Sequence, residues 1–137
     1  MPRKTTEQIS YNMSQVKNKD SKIEITLRKA LWRNGLRYRI NQKGIFGNPD
    51  VIFSKRRVAI FCDSEFFHGY DWENAKEKIK TNREFWIPKI ERNIERDRVV
   101  NNKLQEDGWI VLRFWGNDLL RHTSQCVEIV MKALMKG

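Results

Sequence analysis

From Ser21 onward the apolar positions follow two periods in turn. Ile23, Leu27, Ala30 and Leu31 fall on one side of a helical spiral. Ser21-Lys22-Ile23-Glu24 reads as a capping box before them, and Gly35 ends the run. The period then drops to two: Leu36, Tyr38 and Ile40 interleave with Arg37 and Arg39, the pattern of a half-buried strand. Gly47-Asn48-Pro49 is a turn and Asp50-Val51-Ile52-Phe53 a short strand. The polar stretch from Ser54 to Arg57 connects it to Val58-Ala59-Ile60-Phe61-Cys62-Asp63, which suggests an antiparallel hairpin. Ser64 to Tyr70 reads as an aromatic loop, and a long helical pattern follows from Arg83 to Gln105. Pro88 lies inside that pattern, so the regular helix is expected to begin there, where a first-turn proline is tolerated. Ile87, Ile90, Ile94 and Leu104 mark its inner face, and Gly108 ends it. Trp109 to Trp115 is a further buried strand, and a last helix turns Val127, Val130, Met131 and Leu134 inward. The order predicts an α/β fold with a mixed central sheet and helices on both faces, three layers in all.

The first 20 residues carry only a thin stripe of Ile9, Met13 and Val16 and read as an arm of the single domain spanning 1–137. Charge narrows the picture: 27 Lys plus Arg against 17 Asp plus Glu give a net charge of +10. That surplus favours a polyanion, most often nucleic acid, as the partner. Five Trp, seven Phe and three Tyr exclude a disordered basic tail. Cys62 and Cys126 cannot build a disulfide framework and are expected to be reduced and inert. The longest apolar run, Val58 to Cys62, is too short for a membrane span, and the start has no secretory stretch. The expectation is a soluble, intracellular protein with no membrane partner.

The chemistry gathers at the end of the hairpin. If Phe53 pairs with Val58, Asp50 lies opposite Phe61, and Asp63 follows two residues later on the same face. Glu65 shares that parity if the strand continues. Three acids on one face of a basic protein would repel one another without a cation and form an oxygen-ligand site with Mg²⁺. His68, one of two histidines, follows within five residues of Asp63. Asp97 falls on the inward stripe of the long helix, where it either pairs with Arg98 or Arg113 or orients His68 as a proton acceptor. Lys89, Arg92 and Arg96 stripe the outer side of that helix and are suited to phosphates.

Gly47-Asn48-Pro49-Asp50, Val58 to Gly69, Thr81-Asn82-Arg83-Glu84-Phe85-Trp86, Ile90 to Arg98 and Gly108 to Trp115 occur in an order that resembles the Vsr family. Those are the very-short-patch repair endonucleases, which nick DNA beside a T·G mismatch. Tyr11-Asn12-Met13-Ser14 and Lys19 to Glu24 add to the likeness, which covers most of the chain. It implies a restriction-endonuclease-like α/β/α fold and Mg²⁺-dependent hydrolysis of a phosphodiester bond. Carried over by position, Asp50 and the backbone carbonyl of Cys62 would hold the metal. Asp63, a third candidate ligand, stands where the family usually has a histidine near the scissile phosphate. His68 would be the general base, Asp97 its partner, and Glu24 a supporting acid that also serves its capping box. Glu65 makes the strand end Asp-x-Glu and is a further catalytic candidate. Met13, Phe66, Phe67 and Trp86 match positions that wedge into DNA.

The resemblance also implies double-stranded DNA as substrate, other repair proteins as candidate partners, a monomer, and a bacterial, nucleoid-associated cytoplasmic setting. One departure stands out. Glu65, Tyr70, Trp72 and Asn117 occupy the family's structural-zinc positions, and a site with neither thiolate nor imidazole is not expected to hold zinc. Two alternatives stay open: a restriction-like or structure-specific nuclease without mismatch preference, and a non-catalytic DNA-binding protein on the same scaffold.

Overall fold

The computed structural model describes residues 21–136; the arm and its Met13 lie outside the described residues. Helix α1 spans Lys22–Arg33, capped by Ser21, whose side chain accepts the Glu24 N–H. It buries Leu27, Ala30 and Leu31. Strand β1 is Val51–Phe53 and β2 is Val58–Asp63. They pair antiparallel with Phe53 opposite Val58, the register the alternation implies. Strand β3, Ile110–Trp115, lies parallel to β2 on its other side, so the sheet is mixed with order β1-β2-β3.

Alternation sends the two faces of this sheet to different helices. Val58, Ile60, Cys62 and Phe114 face a core shared with α1 and the last helix, α5 at Thr123–Lys136. Ala59 and Phe61 face Val100 and Leu104 of the long helix α3, Arg83–Glu106. The result is the three-layer arrangement expected from the pattern. Two short helices lack an inward stripe and were not expected: α2 at Trp72–Lys78, which buries nothing, and α4 at Gly116–Arg121, which follows β3 directly. No helix among the described residues is long and apolar enough to cross a membrane.

Three local expectations differ from the structure. Leu36 to Ile40 forms no strand; only Arg39 bridges to Ile52, because β1 is three residues long and Asn41 turns left-handed at φ 53°. Helix α3 starts at Arg83, and Pro88 sits within it. The N–H that Pro88 lacks would have met the carbonyl of Glu84; both residues are exposed, so water can satisfy that oxygen. In α5, Met131 is exposed and Cys126 and Ala133 are buried with Val127 and Val130.

Two glycines let loops close onto α3. Gly47 (φ +82°) would set a Cβ 2.4 Å from Val100, and Gly69 (φ +70°) one 2.4 Å from Ile94. Both φ values favour glycine, and the first loop leads to Asp50 while the second carries His68. Gly69→Ala is expected to destabilise the protein by about 1–3 kcal/mol, from left-handed strain plus the clash. Urea unfolding of the two forms measures it.

Candidate active site

Past Ile60, strand β2 runs on beyond its β1 partner, and the strand end opens into a cleft of about 510 Å³. Its walls are the first turn of α1, the Gly47–Asp50 turn, the loop after β2 and the middle of α3. Glu24, Asp50, Cys62, Asp63, His68, Asp97 and Arg96 all line it, as does Phe67. The fold therefore brings most of the sequence-derived candidates together.

Asp50 lies at the edge of β2. Its N–H donates to the Ile60 carbonyl at 2.9 Å, and its Oδ2 accepts the Cys62 N–H at 2.7 Å. Burial pushes its carboxyl up to about 6; the Cys62 hydrogen bond opposes this, and the neighbouring Asp63 charge adds to it. Its Oδ1 makes no hydrogen bond among the described residues.

Asp63 and Asp97 converge on His68. The ring Nδ1 lies 2.6 Å from Asp97 Oδ2 and 3.7 Å from Asp63 Oδ1. Donor atoms of Asp63, His68 and Asp97 lie within 4.8 Å of one another, a grouping that does not include Asp50. Both Asp63 oxygens accept from Arg113 Nη1 at 3.1 Å, and the same nitrogen lies 3.4 Å from Asp97 Oδ1. Burial raises the Asp63 carboxyl, against the lowering pull of His68 and Arg113. The two pairings left open for Asp97 thus coexist: it meets both His68 and Arg113, while Arg98 turns to Glu95. Glu24 is buried and accepts from Arg28 at 2.8 Å, one turn along α1.

Other candidates lie at the margins. Glu65 points away from the cleft, its Oε2 accepting the Asn117 N–H at 2.9 Å. Phe66 is exposed and packs edge-on against Trp86 at 5.2 Å; Trp86 itself is buried, with Phe85 beside it at 4.8 Å. Lys89 lies over the Phe85 and Trp86 rings. Arg92 and Arg96 line an adjoining depression with the exposed Phe46. Sequence reasoning named Arg113 only as a bland partner and missed two asparagines. Asn101 binds Arg113 Nε at 2.6 Å, and Asn93 holds the Phe67 carbonyl at 3.1 Å. An arginine at an inward position of an otherwise apolar strand was the available signal.

Comparison with known proteins follows the same direction. A family model described as DNA mismatch endonuclease Vsr matches residues 2–74, just over half of the chain. The type II nicking enzyme V.NmeDIP of Neisseria meningitidis serogroup C is 53% identical over 134 residues, 98% of this chain and 90% of its own length. The chain belongs to the Vsr family. V.HpaIIP of Haemophilus parainfluenzae, also a type II nicking enzyme, is 48% identical over 118 residues, covering 86% and 84% of the two chains. The DNA mismatch endonuclease Vsr of Escherichia coli K12 is 37% identical over 106 residues, covering 77% and 67%. The protein is thus a DNA endonuclease with the restriction-endonuclease-like fold of the Vsr family.

The four residues that carry neither thiolate nor imidazole, Glu65, Tyr70, Trp72 and Asn117, make contacts of their own. Besides the Glu65–Asn117 hydrogen bond, Tyr70 packs edge-on against Trp115 at 5.0 Å, and Trp72 Nε1 donates to Glu91 at 3.2 Å. These ties fasten the loop after β2 to β3, α4 and α3. Cys62 and Cys126 are free and buried, and burial pushes both thiols up, Cys126 to about 11.

The Asp50 shift sets a pH dependence. A carboxyl raised from 3.8 to about 6 in the folded state contributes stability that is full below 3.8 and lost as pH rises through 6. Asp50→Asn is therefore expected to raise the melting temperature in EDTA above pH 6, and to leave it nearly unchanged or lower near pH 4. Thermal scans of both proteins across that range test it.

Proposed function

We propose that this Vsr-family endonuclease nicks one strand of double-stranded DNA beside a T·G mismatch, with Mg²⁺ as its cofactor. The observation that carries the reading is the 2.6 Å His68–Asp97 pair in the same cleft as Asp50.

The donor set fits a divalent ion. Asp50 has one oxygen fixed by Cys62, the other without a hydrogen bond among the described residues, and a burial cost that a cation would relieve. The metal would be held by Asp50 and the Cys62 carbonyl. Asp63 would join them by sharing oxygens that now accept from Arg113. When bound, Mg²⁺ supplies charge neutralisation at the scissile phosphate and acidifies water.

The chain's own residues do the rest. With the His68 proton on Nδ1 and donated to Asp97, Nε2 carries the lone pair that accepts a proton from attacking water. Hydrolysis leaves a 5′-phosphate and a 3′-hydroxyl. Lys22 and Arg96 line the cleft and attract the flanking phosphates, and Lys89 and Arg92 extend that charge along α3. Phe66 presents an apolar edge that Trp86 supports from below, as a wedge between bases needs. The ties of Glu65, Tyr70 and Trp72 support a loop that holds its shape without structural zinc.

Nicking of matched and T·G duplexes, with Mg²⁺ or EDTA and mapped ends, tests the reading. The mismatched duplex is expected to be cut faster, and EDTA to stop the reaction. Equal rates on both duplexes would favour the nuclease without mismatch preference. Asp50→Asn should abolish nicking and keep DNA binding; undiminished nicking by that variant ends the metal assignment. Asp97→Asn should slow nicking by about 10²–10⁴-fold, since it no longer holds the imidazole in its accepting tautomer.

A further inference from the structure

The catalytic scheme above, on which this inference rests, leaves one cation at the floor of the cleft without a task. Arg113 sits in the middle of β3, opposite Phe61 of β2, at the parity that faces α3. Its side chain is only 18% exposed. Every part of the guanidinium that makes a contact is fixed: Nε to Asn101 at 2.6 Å, Nη1 to Asp63 and Asp97, and Cζ 4.0 Å above the Phe61 ring. One side chain thereby joins two strands to the helix that carries Asp97.

We propose that Arg113 is a positioning residue for catalysis: it holds Asp63 and Asp97 in one arrangement and, through Asp97, fixes the orientation and tautomer of His68. The argument is electrostatic and geometric. Two carboxylates approach the same imidazole nitrogen, at 2.6 and 3.7 Å, and without a cation between them they repel. Nη1 lies between them, within 3.4 Å of three of their four oxygens. Asn101 stands one helical turn after Asp97, so binding both ties the guanidinium to a fixed stretch of α3. The planar fork is what allows one group to bond Asn101 through Nε and the two acids through Nη1. A lysine ammonium carries the same charge but cannot span both anchors. Asp63, in turn, gains a role that needs no metal: it seats the guanidinium.

The test uses the full chain. Arg113→Lys is expected to slow single-turnover nicking at saturating DNA by about 100-fold. The DNA concentration giving half-saturation should move less than about threefold, because the residue acts on the base and not on binding. Nitrogen-15 NMR of the imidazoles supplies a readout that a merely fold-holding ion pair would not move, and the chain has only two histidines to assign. His68 in the unaltered protein should carry its proton on Nδ1; in Arg113→Lys the two tautomers should mix. Should Arg113→Lys fail to melt cooperatively, Asn101→Ala, which removes the guanidinium's anchor on α3 and leaves both acids in place, serves instead, with the same mixing of tautomers and a slowing of about 10-fold or more. A wild-type nicking rate in the variant, or a ring that stays wholly Nδ1–H whatever the rate, overturns the proposal. His68→Ala separates the levels: unimpaired nicking there ends the general-base reading itself. A dead His68→Ala beside a fast Arg113→Lys ends only the role given to Arg113.

Discussion

Four carboxylates share one cleft in a chain of net charge +10, and the site is organised around compensating them. Each solution is different. Glu24 takes a guanidinium one turn along its own helix, Asp50 takes a backbone N–H, and Asp63 and Asp97 divide a single arginine from the neighbouring strand. Removing one partner from such an arrangement costs more than the pair contributes while intact, because a partly buried charge is left facing others of its own sign. Asp50 keeps an oxygen without a hydrogen bond among the described residues, and burial pushes its carboxyl up to about 6. Asp50 is thus left with a demand for a positive charge that its own hydrogen bond does not meet.

What makes this arrangement available is the parallel pairing of β2 with β3. It sets Phe61 beside Arg113 and leaves Asp63 one step further along the same face, within reach of the guanidinium. Antiparallel β1 stops short, so the end of β2 has a free edge at which the Asp50 side chain can fold back onto the Cys62 N–H. Helix α3 closes the other side, and the two glycines at 47 and 69 allow the loops to approach it closely enough for Asp97 to meet His68.

The parts of this fold that were legible in the sequence are those whose signal is local. The hairpin register followed from the four polar residues between two apolar runs, and α1 and α3 from the 3.6-residue spacing of Leu27, Leu31, Ile90 and Leu104. The failures are local signals overruled by their surroundings. Leu36, Tyr38 and Ile40 alternate as a strand should, yet they lack a partner long enough to pair with. Pro88 looks like a helix start, yet it is accommodated because the carbonyl it orphans belongs to an exposed residue, where water can satisfy it. Helix α2 shows no apolar stripe at all, since nothing in it is buried. For the cleft, residue types and the family likeness pointed to the acids and His68, but the central place of Arg113 depends on strands 50 residues apart in the chain. No window along the sequence contains that pairing.

The loop after β2 ties the exposed Phe66 to the His68–Asp97 pair. It carries Phe66 and Phe67 two residues or fewer before His68, and its carbonyl at Phe67 is held by Asn93 of α3. At its far end Tyr70 packs on Trp115, the residue paired with Asp63 across the parallel ladder. A segment pinned at both ends and in the middle moves as a unit or not at all. Any displacement of the aromatic edge at Phe66 would therefore be transmitted to the imidazole, whose Nδ1 has only 2.6 Å to its acid and little tolerance for misalignment. The aromatic edge at Phe66 and the His68 ring are thus carried by one turn, fastened by Glu65, Tyr70 and Asn93.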